Sequence, residues 1–257
     1  MRFPHGTLCA SVLLFVGVIA SAIASANIPE RHSISRLEKI LSQSNEKKFG
    51  ELKKLGPQVY KDLREMTFDE NRALRTRWQA FMALVRIGEK ESMPEIELAL
   101  KSREWYLRNA AIRILPLINS DRAYKAALSG LNDSALVVRT AAVDALAEVG
   151  RAEAAPKLWN QLYYKENYIR SQSLWIRRHV VEALAKVALP GPDSEDRFVK
   201  ILDDNDSTLF GPAIKGLERV TGKKLGDPST PPVYARYFWK KWHKEKFQLK
   251  TSRSSSL

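Results

Sequence analysis

"VRTAAVDALAEVG" (residues 138–150) decides how this chain folds, because it recurs. "TRWQAFMALVRIG" (76–88) lies 62 residues earlier, and "LRNAAIRILPLIN" (107–119) lies midway between them. "IRRHVVEALAKVA" (176–188) follows 38 residues on, and "LFGPAIKGLERVT" (209–221) comes 33 later. Set in register, the columns agree. One reads Arg77, Arg108, Arg139, Arg177, Phe210. Three residues on it reads Ala80, Ala111, Ala142, Val180, Ala213, and three further Ala83, Ile114, Ala145, Ala183, Gly216. The next column is leucine throughout: Leu84, Leu115, Leu146, Leu184, Leu217. The last apolar column reads Ile87, Ile118, Val149, Val187, Val220. This spacing follows one face of an α-helix. Alanine lets a neighbouring helix approach closely, and leucine fills the space between.

Gly88 and Gly150 stand at helix exits, where a left-handed residue ends a helix at low cost, and Asn119 is expected to do the same. A weaker copy, "FGELKKLG" (49–56), has Lys48 and Glu51 where apolar residues are expected, which suits a terminal unit with a wetter face. A second amphipathic helix precedes each copy, at 33–43, 57–66, 92–101, 121–131, 152–162 and 193–202. Asp, Ser or Pro near their starts are good helix openers. No alternating valine- or threonine-rich stretch points to a sheet. The expected fold is all-α, with about six helix pairs.

A period near 31, paired helices and "VRTAAVDALAEVG" together resemble the HEAT repeat family, especially its short bacterial form, over roughly residues 45–222. Asp133 and Asp204, six residues before Arg139 and Phe210, match the family's usual turn acid, whereas Ser102 and Ser171 replace it elsewhere. The resemblance implies a right-handed α-solenoid whose concave surface binds a partner. It implies no single activity, because one fold hosts many functions.

The first 26 residues read differently. Arg2 and His5 precede an apolar run at residues 8–23, and Ala24 and Ala26 sit just before a cut ahead of Asn27. This is the layout of a secretory signal peptide. Sixteen apolar residues fall short of the ~20 needed to cross a bilayer. An uncleaved anchor is the alternative. The only cysteine, Cys9, lies in this segment, so the chain after the cut has no disulfide, thiol nucleophile or thiolate metal site. The chain is thus expected to comprise a signal peptide (1–26), a solenoid (27–222) and a basic aromatic extension (223–257). The formal charge is +13, and the extension alone holds nine Lys or Arg against two acids. The basic character belongs more to the tail than to the body.

The arginine column (Arg77, Arg108, Arg139, Arg177) reads as a set of ligands for carbonyls and acids of adjacent turns, with phosphate binding as the alternative. Between the leucine closing the first helix and the arginine of the second, the fourth strong repeat holds seven extra residues. They fall within "YYKENYIRSQSLWIRR" (163–178) and bring Tyr163, Tyr164, Tyr168, Arg170, Trp175 and Arg178 together as candidate partner-binding residues. Insertions in solenoids map to loops, often on a binding face, and Tyr, Trp and Arg dominate interface energetics. A longer turn whose aromatics pack on their own repeat is the competing reading. "ILDDNDST" (201–208) has three carboxylates but lacks the glycine and distal glutamate of an EF-hand. No HExxH, GxSxG, phosphate-binding loop or dinucleotide glycine pattern occurs, His179 reads as structural, and no cofactor is expected.

After the last repeat, Leu217, Val220, Thr221, Gly222, Gly226, Asp227, Trp239 and Trp242 resemble the ending of many secreted or envelope HEAT-repeat proteins. Pro232 can open a helix that places Tyr234, Phe238, Trp239 and Trp242 near one face and Lys240, Lys241, Lys244 and Lys246 largely on the other. A solenoid's last repeat leaves an apolar face bare, so this helix is expected to cap it, aromatics inward and lysines outward. Membrane-surface and nucleic-acid binding are the alternatives. "TSRSSSL" (251–257) reads as disordered. The expected function is an exported, non-enzymatic scaffold for another protein, one with an acidic surface. A nucleic-acid binder or DNA glycosylase-type enzyme and a peripheral membrane protein are the competing classes.

Overall fold

A computed structural model describes residues 33–254. The expected signal peptide therefore lies outside the described residues. The chain divides into two compact units, residues 1–62 and 63–257. In the first, α1 (Ile34–Leu41) opens on Ser33, whose hydroxyl accepts the Arg36 N–H, and packs against α2 (Asn45–Lys54). Leu37, Ile40, Leu41 and Leu52 are buried. Helix α3 (Gln58–Phe68) begins in this unit.

The second unit continues with α4 (Leu74–Gly88), α5 (Met93–Leu100), α6 (Trp105–Ile118), α7 (Ser120–Gly130), α8 (Leu136–Val149), α9 (Ala155–Leu162), α10 (Ile176–Val187), α11 (Pro192–Ile201), α12 (Phe210–Thr221) and α13 (Pro232–Ser254). Helices α4, α6, α8, α10 and α12 pack side by side in chain order, and α5, α7, α9 and α11 each pack on the helix that follows. This is an α-solenoid, and its paired helices match the repeat seen in the sequence. The five leucines of the repeat column are all buried, and so are Ala80, Ala111, Ala142, Val180 and Ala213. One apolar cluster runs from Ile112 to Trp239.

Two helix exits differ from expectation. Gly150 and Gly222 adopt the left-handed conformation, at φ 73° and 68°. Gly88 does not, because α4 runs through it and Glu89 takes the positive φ instead. Asn119 is extended, and its side chain accepts the Arg122 N–H at 3.0 Å. It caps the start of α7 rather than the end of α6, since only one residue separates the two helices.

The insertion holds the strands among the described residues. β1 (Tyr168–Ile169) pairs antiparallel with β2 (Gln172–Ser173), Tyr168 opposite Ser173. Arg170 and Ser171 turn the hairpin with φ 47° and 65°, two consecutive left-handed residues. Helix α13 runs through Ser254, so residues 251–254 are helical where the sequence reads as disordered. No proline or glycine interrupts residues 233–254. Residues 255–257 lie outside the described residues.

Candidate functional site

The arginine column is internal. Arg77 donates from Nε to the Thr67 carbonyl at 3.1 Å, with Glu104 at 3.7 Å. Arg108 grips both oxygens of Asp133 at 2.7 and 2.8 Å and donates to the Ser102 and Arg103 carbonyls. Arg139 donates to the Asp133, Ser134 and Glu166 carbonyls and to Asn167 Oδ1. Arg177 is 2% exposed and donates to Leu162 O, Ser173 Oγ and both oxygens of Asp204. Each arginine thus ties its own repeat to the next one. Burial alone would push the Arg177 guanidinium down, but its bond to Asp204 and that charge outweigh burial and raise it. Burial would likewise raise the Asp133 carboxyl, and the Arg108 fork together with the Ala135 N–H holds it below the usual range. These groups are committed to locking the stack.

The acid ladder is fuller than the sequence suggests. Asp133 and Asp204 serve the preceding repeat's arginine, Glu104 stands in for Ser102, and the insertion supplies Asn167. Asn167 is fully buried and also donates to the Gln161 carbonyl. Ser171 takes no part and sits in the hairpin turn.

The six insertion candidates do not form one surface. Tyr168 stacks on Arg177, ring centroid 4.7 Å from the guanidinium, and faces a mouth lined by Ser173, Asp204 and Asp206. Burial would raise Asp206, but hydrogen bonds from Ser173 and Thr208 and the Arg177 charge hold it low. Asp203, Asp204 and Asp206 are engaged separately, by Lys240, Arg177 and Thr208. Arg170 is the hairpin tip. Trp175 and Arg178 belong to the start of α10. There Trp175 lies edge-on to His179, whose Nδ1 is 2.8 Å from Asp144, and Arg178 pairs with Glu182.

Tyr163 lies between two openings: its ring is also 5.9 Å from the Arg177 guanidinium, and with Tyr164 it faces a second mouth. With Trp159, Asn160, Lys165, Arg197 and Lys200 they line a cleft between α9 and α11. Trp159 forms its floor, edge-on to Phe198 at 5.0 Å and under the Arg197 guanidinium at 5.5 Å. Trp159, Arg197 and Lys200 were invisible as site residues in the sequence, because each sits on an ordinary amphipathic helix. Three cations surround three aromatic rings: Arg197 is paired with Asp193 at 2.9 Å, Lys165 lies 3.9 Å from Glu166, and Lys200 is the cation left to favour an acidic segment. Burial pushes the Tyr163 phenol up, so it remains a neutral donor there at physiological pH.

The capping helix meets expectation in part. Trp239 is fully buried and edge-on to Trp242 at 5.6 Å, and Trp242 is partly buried against the core. Tyr234 and Phe238 are not buried: they are 62% and 48% exposed and point outward. The lysines are also partly reversed. Lys240, His243 and Lys246 reach back to Asp203, Asp196 and Glu195. Acids on and just beyond α11 set this orientation, and a helical wheel does not see them.

Repeated helix pairs locked by an arginine ladder carry the assignment, and the family profile for HEAT repeats matches residues 93–175. That stretch consists of HEAT repeats. The match spans α5 to the start of α10, where the alanine and leucine columns are most regular. No curated protein matches the chain. HEAT repeats form an interaction scaffold, which agrees with a surface offering clefts while its polar ladder is used internally. Among the described residues, no helix is long and apolar enough to cross a membrane.

Proposed function

We propose that the protein is an exported, non-enzymatic scaffold that holds an acidic segment of another protein in the cleft between α9 and α11. The observation behind this reading is the cleft itself, with Trp159, Tyr163 and Tyr164 ringed by Lys165, Arg197 and Lys200. Aromatic rings contribute apolar contact at low entropic cost, and Lys200 beside them favours an acidic chain. The arginine ladder supports a rigid cleft, because Arg177 fixes Leu162 at one end of α9 and Asp204 beyond α11. Export rests on the apolar run at 8–23 and the alanines that follow it.

A photo-cross-linker placed at Tyr164 in the full chain tests the cleft. Its adducts should weaken when Lys200 and Arg197 are changed to Glu, and adducts that survive the double reversal refute the reading. Fusion of residues 1–30 to a reporter tests export, and cytoplasmic retention refutes it.

A further inference from the structure

The exposed side of α13 makes few folding contacts: Tyr237 accepts from Arg236 at 3.1 Å, and the rest of the stripe is exposed. Its inner side holds Ala235, Trp239 and Trp242, with Lys240, His243 and Lys246 paired to acids at its flank. Val233, Tyr234, Tyr237 and Phe238 are exposed on the other side, and Lys241 and Lys244 continue that stripe. Positions 234, 237, 238, 241 and 244 lie on one helical face. Phe238 rests against Gly226, where a Cβ would meet its ring at 2.9 Å, so the loop carrying Lys223 and Lys224 lies beside the patch. These four lysines are exposed and have no acidic partner among the described residues. Glu245, four residues after Lys241, is exposed on the same face and offsets one of its charges, and Asp227 is bound by the N–H and hydroxyl of Ser229.

We propose that this stripe seats the protein on an anionic bilayer surface. Tyrosine and phenylalanine rings beside lysines match the chemistry of the headgroup region, where rings enter the acyl boundary and ammonium groups meet lipid phosphates. The exposed rings lie within residues 234–238 and the lysines within 241–244, so about 15 Å of the helix can meet a plane. A second copy fits less well. A two-fold contact sets the same patch against itself, and its lysines would face one another. This site lies apart from the α9–α11 cleft and does not depend on it.

The test is co-sedimentation of the full chain with phosphatidylcholine vesicles, with and without about 30% phosphatidylserine. The apolar run at 8–23 is common to all variants, so the readout is the ratio of anionic to neutral binding. Each lysine near such a surface contributes about 1 kcal/mol, close to fivefold, so Lys241→Gln/Lys244→Gln should lower that ratio roughly 25-fold. Tyr234→Ser should weaken binding with no change in melting temperature. Lys90→Gln/Lys101→Gln removes the same net charge elsewhere and should leave the ratio near wild type. The proposal is overturned by a wild-type ratio near one, by equal losses in the two lysine pairs, or by a dimer in solution that the Lys241/Lys244 change disrupts.

Discussion

Trp239→Ala is the most direct test of how the repeat stack ends. Trp239 is the largest fully buried side chain of the described residues and comes from a helix outside the repeat pattern. Its ring joins the apolar cluster that includes Phe198, Leu217 and Val220, and it supports Trp242 edge-on. Truncating a buried tryptophan to alanine costs about 3–5 kcal/mol, from lost transfer energy and the cavity left behind. For a unit of this size each kcal/mol moves the midpoint by about 2–4 °C, so a loss near 4 kcal/mol predicts a fall of roughly 8–16 °C.

A solenoid loosens locally, so the melt should be read together with hydrogen exchange. Amides of α11 and α12 should lose protection before those of α6 and α8. Trp239→Phe should cost far less than the alanine change. It keeps a ring and removes an indole N–H that has no acceptor among the described residues. Tyr234→Ala, on the same helix but exposed, should stay within about 0.5 kcal/mol of wild type. A Trp239→Ala midpoint within about 2 °C of wild type, with α12 protection intact, would refute the capping role.

Arg177→Ala should cost about 3–5 kcal/mol in urea unfolding, and Arg177→Lys should recover little, since one ammonium cannot span Leu162 O, Ser173 and both Asp204 oxygens. The folded Asp133 carboxyl titrates below its unfolded value, so its stabilisation is present above about pH 4 and is lost as pH falls through the folded value. Asp133→Asn should therefore be the less stable protein at pH 7, with the gap closing in acid when urea midpoints are compared. Gly216→Ala restores the alanine of three other repeats, yet the new Cβ would lie 2.5 Å from the Phe198 ring. It should cost about 1–3 kcal/mol by thermal melting. Phe210→Arg likewise restores the repeat pattern and should destabilise by a few kcal/mol, because the new guanidinium would be buried beside Arg236.

The helix pairs and their buried columns were legible because 3.6-residue periodicity is a local signal repeated five times. Val138, Ala142, Leu146 and their counterparts needed no knowledge of distant residues. The insertion was not legible as a hairpin. Its turn is Arg170-Ser171, without the glycine or asparagine that marks two left-handed residues. The placing of its aromatics followed from that: Tyr164 stays with α9, the hairpin carries Tyr168 to Arg177, and Tyr163 touches both sites. The facing of α13 was half legible. Trp239 and Trp242 read correctly, but aromatics occur all round that helix. What turns Tyr234 and Phe238 outward is the set Glu195, Asp196 and Asp203, 37 to 51 residues from its lysine and histidine partners.

The break in the arginine column at Phe210 follows from the same end effect. In the preceding repeats the arginine binds carbonyls near the end of the first helix and an acidic or amide group from the next unit. After the pair α11 and α12 comes α13 rather than another helix pair, so an arginine at 210 would lack the acid or amide that a following pair supplies. Phe210 fills the space instead, and α13 brings Arg236 to it from the other side. Its guanidinium lies 4.7 Å from the Phe210 ring and donates to the Leu202 carbonyl at 3.2 Å. Leu202 caps the end of α11 and Leu162 is the last residue of α9, and the Leu162 carbonyl is the one Arg177 takes. Arg236 therefore supplies the carbonyl contact that position 210 lost, Trp239 supplies the packing, and Lys240 and Lys246 pair with Asp203 and Glu195. One helix thus makes the contacts that a following pair makes elsewhere in the stack, which is why its inner side is so fully committed while most of its outer side stays exposed.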